Sequence, residues 1–211
     1  MINTSSIGQR PTGDEATRTL FLLAAWFFLA VWLGATGKLL ARGAPPVGLG
    51  VAILLPLTVF VTDRRLGGRL FGGLLRLDLA ALIALQTFRI VGVVFVVAWM
   101  GGTLPAGFAL PAGLGDIAIG LTAPLVAAAV LRRGPHHLAV ARIWTVLGMA
   151  DLVIAVTSGV LHGRSSIGLL AAGPITTDGM ARYPLSLIPT FLVPLALLLH
   201  LATFRRLATA S

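Results

Sequence analysis

Cysteine is absent from this 211-residue chain, and aspartate and glutamate together number only seven. The first absence excludes disulfides, thiolate metal sites, iron–sulfur clusters and cysteine nucleophiles, while leaving the compartment open. Charge of either sign is scarce, at 11% of residues, against about 25% in soluble domains. Enzyme signatures are missing as well: no HExxH, no G-x-S-x-G and no Walker loop occurs. Ser165 and Ser166 near His162 have no orienting acid or oxyanion site to make them a nucleophile.

What is present is apolar. Hydrophobic residues make up 57% of the chain, with a mean hydropathy of +0.96. The expected fold is an all-α integral membrane protein, a bundle of about six transmembrane helices. The spans read as Thr19–Gly37, Pro46–Thr62, Leu79–Met100, Leu114–Leu131, Ile143–Leu161 and Leu185–Phe204. Proline inside several of them (Pro56, Pro124, Pro189, Pro194) is tolerated in membrane helices when neighbours re-satisfy the backbone. Residues 1–18 form a polar N-terminal tail, 19–206 one polytopic domain and 207–211 a short C-terminal tail. A cleaved signal peptide is the alternative for the first span. Asp14 and Glu15 in its flank and an apolar stretch beyond the usual 7–15 residues argue against that.

The net charge of +9 does not imply nucleic acid as a partner, because the basic residues alternate with apolar segments instead of forming one patch. They read as topology signals. With the N-terminus inside, Arg10, Arg18, Arg64, Arg65, Arg69, Arg76, Arg132, Arg133, Arg142, Arg205 and Arg206 lie on the inner side. Only Lys38, Arg42, Arg164 and Arg182 lie outside. Both termini are therefore expected in the cytoplasm, with the lipid bilayer as the main partner and the inner membrane of a prokaryote as the location. Arg64–Leu77, with four arginines and four glycines (Gly67, Gly68, Gly72, Gly73), reads as a basic inner loop or a surface-lying segment. The uncharged stretch Gly101–Gly113, with Pro105 and Pro111, reads as an outer loop that dips back or caps a cavity.

One arginine breaks the pattern. Arg89 is the only charge in the 22-residue run Leu79–Met100, about 15 Å along that helix. A charge at that depth costs about 2.5–3.5 kcal/mol on insertion scales, so it marks a site unless it is paired structurally. Asp116 and Asp151 are the acids within spans. Asp151 is central in its segment, whereas Asp116 is third in its own, so depth favours an Arg89–Asp151 pair with Asp116 on the outer approach. Gln86 and Gly92 share the arginine's helix face. Trp144, Gly148, Asp151, Ala155, Ser158 and His162 form one stripe, and Asp116, Gly120 and Ala123 a face for close approach.

Two functional classes follow. One is binding or transport of a small molecule or ion through an intramembrane polar cavity, with Arg89 as anion or counter-ion site and Asp151 as its partner or proton carrier. The other is a structural or assembly subunit, in which the Arg–Asp pair only fastens helices. An intramembrane redox or lipid enzyme is disfavoured by the missing motifs. No cofactor is indicated: His200 reads as a helix-packing hydrogen bonder, and a haem or metal site joining it to His136 and His137 needs ligands at matching depth.

Overall fold

The computed structural model describes residues 12–40, 44–65 and 68–209, so Arg10, Arg42 and Gly67 fall outside the described residues. Every regular element among them is helical: α1 (Gly13–Ala35), α2 (Val47–Arg65), α3 (Gly72–Leu75), α4 (Leu79–Leu85), α5 (Val93–Met100), α6 (Ala106–Leu131), α7 (His137–Leu161) and α8 (Val193–Thr209). A 3-10 segment, Gln86–Gly92, joins α4 to α5, and a π turn, Ile188–Leu192, leads into α8. Five of the resulting rods are long and apolar enough to cross a membrane; the sixth expected span contributes only the shorter apolar helix Val47–Asp63.

Local chemistry moves several expected boundaries. α1 begins six residues before Thr19 because Thr12 and Glu15 form a reciprocal capping box, satisfying backbone donors at both positions. α6 begins at Ala106 instead of Leu114, so most of Gly101–Gly113 is helix and the connection shrinks to residues 101–105. Pro111 does not end it. The carbonyl that Pro111 leaves without an amide donor belongs to Gly107, and it accepts from Ser158 Oγ of α7 at 3.3 Å. Pro194 is handled the same way. It strips Thr190 O of its helical donor, and the Trp26 indole N–H of α1 supplies one at 3.1 Å. This bond ties α1 to the π turn, together with the edge-on stacking of Trp26 on Phe191.

The basic stretch expected as a loop is a packed plug. The buried Asp63 carboxylate accepts from the amides of Leu70 (2.9 Å) and Phe71 (2.8 Å), bonds strengthened by the acceptor's charge. Phe71 and Leu74 are buried against Phe60, Leu82, Leu198 and Leu199. Arg18 donates to Arg69 O, Arg206 to Leu75 O, and Arg76 pairs with Glu15 at 2.7 Å. Gly73 has to be small here, since a Cβ would lie 2.9 Å from Thr19 Oγ.

α6 is the central helix. Its buried face carries Ala109, Ala112, Gly113, Asp116, Gly120, Ala123 and Ala127, small residues that let neighbouring backbones approach closely. A Cβ at Gly120 would lie 2.6 Å from the Ile90 amide nitrogen, and one at Gly92 would lie 3.0 Å from Gly113 O. The 3-10 segment therefore touches α6 backbone to backbone. Trp26→Phe keeps the ring and removes the donor to Thr190 O, and it is expected to cost about 1 kcal/mol. A thermal melt in detergent that leaves Trp26→Phe equal to wild type would show that the proline-freed carbonyl finds another partner.

Candidate functional site

Arg89 sits in the 3-10 segment, and that winding sets what it can reach. At three residues per turn, positions i, i+3 and i+6 eclipse, and the buried residues of the segment are Gln86, Arg89 and Gly92. The arginine is 1% exposed, and all three guanidinium nitrogens are engaged. Nε donates to Asp116 Oδ1 of α6 at 2.6 Å, and Nη2 pairs with Asp151 Oδ2 of α7. Nη1 donates to Gly148 O at 3.1 Å and lies 3.3 Å from His200 Nε2 of α8. Because an arginine N–H only donates, that last contact requires an unprotonated Nε2.

Glycines make room for these charges. A Cβ at Gly148 would fall 2.6 Å from His200 Nε2 and 3.2 Å from Arg89 Nη1. One at Gly115 would run into the Asp151 carboxylate, and one at Gly92 into the Asp116 side chain. The 3-10 segment, α6 and α7 each give up a side chain at this point, and α8 fills part of the space with His200.

The sequence-predicted residues fare differently. Arg89 and Asp151 come together. Asp116 is not on an outer approach: it is the eleventh residue of α6, buried, and shares the arginine. The depth argument misplaced it because α6 starts eight residues before Leu114. Gln86 does not contact Arg89; its Nε2 braces α8 by donating to Ala196 O at 3.0 Å, and Oε1 is buried without a partner among the described residues. His200, expected as a helix-packing hydrogen bonder, does make a buried contact across helices, and its partner is Arg89 of the cluster. A histidine in the middle of the run LLLHLATF carries the same signal of depth that singles out Arg89. His137 bonds back to Gly134 O and does not join it. Among the described residues no three His, Asp or Glu side chains are placed to hold a metal.

A cavity of about 490 Å³ opens beside the cluster. Its walls include Ile53 of α2, Phe95 of α5, Phe108 of α6, Val156 of α7 and Ile188 of the π turn. Arg164, Asp178 and Arg182, from the segment linking α7 to the π turn, stand at the end of the helices, while Asp116 lies deep at mid-helix. Asp116 is the charged group at the floor. Its Oδ1 holds Arg89, and no hydrogen bond from the protein reaches its other oxygen. Asp151 and Arg89 are not among the lining residues.

Fold and site together define an all-helical chain in which membrane-length apolar helices enclose a buried arginine–carboxylate cluster beneath a largely apolar cavity. The chain belongs to the family described as Domain of unknown function (DUF8737), whose model matches residues 46–208 and so takes in every residue of the cluster. Neither the curated proteins nor the solved structures contain a match to it.

Removing one side of a buried, hydrogen-bonded charge pair costs about 3–5 kcal/mol, so Arg89→Ala should lower folded yield and melting temperature sharply. Arg89→Lys should rescue little, since one ammonium cannot span acceptors on three helices. Gly148→Ala should cost about 1–3 kcal/mol by overpacking against His200. Unfolding in detergent checks all three, and an unimpaired Arg89→Lys would contradict the described geometry.

Proposed function

We propose that the chain is a small polytopic membrane protein that binds or transports a small, largely apolar molecule through the cavity above the ion cluster. The observation that carries this reading is Asp116. A carboxylate in an apolar setting is normally used up by its partners. Here one oxygen is spent on Arg89, the other receives no hydrogen bond from the protein, and the residue borders a space large enough for a ligand. Pockets of about 300–1,000 Å³ with apolar walls and a few placed polar groups are the usual form of small-molecule sites. On the orientation set by the excess of arginine at the opposite end, the cavity opens outward and both termini lie in the cytoplasm.

The roles within the cluster differ from a simple anion site. Arg89 is saturated by protein acceptors, so it acts as the counter-ion that holds Asp116 in place. Asp151 and His200 complete its shell. The proline-bearing π turn lines the cavity, and irregular helices of this kind border binding sites in transporters.

A second reading keeps the cluster as a fastener alone. It is favoured by the same saturation of Arg89, since a charge with every nitrogen engaged has done its structural task.

The absence of native cysteine makes a labelling test clean. A single cysteine replacing Val160 on the cavity wall should react with a membrane-impermeant maleimide added outside intact cells. One replacing the fully buried Leu198 should not. Triphenylphosphine oxide, a neutral apolar probe, should protect the Val160→Cys protein. Labelling only from the cytoplasmic side would reverse the orientation, and no protection by this probe or by charged probes of the same shape would leave the fastener reading.

A further inference from the structure

We propose that the molecule taken by the cavity is an organic cation with a mainly apolar body, its positive end lodged against Asp116. This rests on the cavity being a binding site, as proposed above. Three observations lead to it.

The floor presents acceptors only. The buried Asp116 offers one carboxylate oxygen that receives no hydrogen bond from the protein, so a ligand reaching it has to bring a donor or a positive charge. An anion there would face that oxygen with no compensating donor, because Arg89 lies behind Asp116 and its nitrogens are committed to Asp116, Asp151, Gly148 and His200.

Charge balance points the same way. Two carboxylates share one guanidinium, and His200 accepts from Arg89 through an unprotonated nitrogen. With both carboxylates ionised the cluster is one positive charge short, and a monovalent cation at Asp116 would complete it.

The arginines at the mouth do not reverse this preference. Arg164 and Arg182 are exposed there beside Asp178, whose Oδ1 accepts from the Arg164 amide at 2.9 Å, and the Arg164 guanidinium donates to Pro174 O. Exposed charges are screened within about 8 Å in physiological salt. A charge at the floor acts through a medium of far lower dielectric constant, where the same separation gives an interaction several-fold stronger. Apolar walls then select the body of the ligand, and the buried carboxylate selects its charge.

Three probes of similar shape test the assignment in the Val160→Cys protein, with protection from maleimide as the readout. Tetraphenylphosphonium is expected to protect at a concentration at least about tenfold below that required for triphenylphosphine oxide, a difference of about 1.4 kcal/mol. Tetraphenylborate should not protect. Adding Asp116→Asn should bring the phosphonium and the phosphine oxide to within about twofold of each other while leaving protection by the phosphine oxide in place. The ordering in the Val160→Cys protein alone decides the matter if the Asn variant does not fold. Protection by the phosphine oxide with no advantage for the phosphonium, or equal protection by tetraphenylborate, overturns the cation assignment and leaves the cavity as a binding site. Protection by none of the three overturns the binding reading itself.

Discussion

The guanidinium of Arg89 is the constraint around which the rest is arranged. A planar cation with fixed donor directions has to meet acceptors from α6, α7 and α8 at once. That demand explains features which look unrelated along the chain. The 3-10 winding at Gln86–Gly92 aligns Gln86, Arg89 and Gly92 on one line, and the glycines at 92, 115 and 148 clear the space the charges occupy. The gain is geometric definition more than raw stability. Desolvating three charges is expensive, and their attraction repays it only when the remaining polar atoms are satisfied. Two nearby atoms, Gln86 Oε1 and His200 Nδ1, lack partners among the described residues, so the repayment is incomplete.

Proline and polar side chains form a second recurring theme. Pro111 and Pro194 each free a carbonyl, at Gly107 and Thr190, and each carbonyl is recovered by a donor from another helix, Ser158 or Trp26. The breaks in the backbone ladder become links between helices. Both lie near the cavity: Phe108 next to Gly107 lines it, as does Pro189 next to Thr190.

The helical architecture was legible in the sequence because long apolar runs are a strong, simple signal, and five of the six expected runs form helices of membrane-crossing length. The cluster was legible only in part. Arg89 and Asp151 stand out as lone charges in apolar runs, and helical periodicity gives the faces of α6 and α7. Asp116 was misplaced because Pro105 and Pro111 look like loop punctuation. Nothing in Gly101–Gly113 itself reveals that a serine 51 residues from Gly107 will rescue the broken ladder. The 3-10 winding has no local signature, since its residues read as an ordinary apolar helix. His200 had a signal, a polar ring amid leucines at mid-helix, which a search confined to acids as partners of the arginine passes over. The plug formed by Arg69–Leu75 was hidden for a different reason: its stability comes from Asp63 and Thr19 on other elements.

The cluster has a mechanical corollary. It binds the 3-10 segment, α6, α7 and α8 into one unit, because separating any of these helices would strand a buried charge or polar atom. α1 and α2 contribute nothing to it. α2 nevertheless supplies part of the cavity wall through Leu49 and Ile53, and α1 reaches the π turn through Trp26. A rearrangement that keeps the ion cluster whole would leave these four elements as a stationary post, with α1 and α2 among the parts left to shift against it.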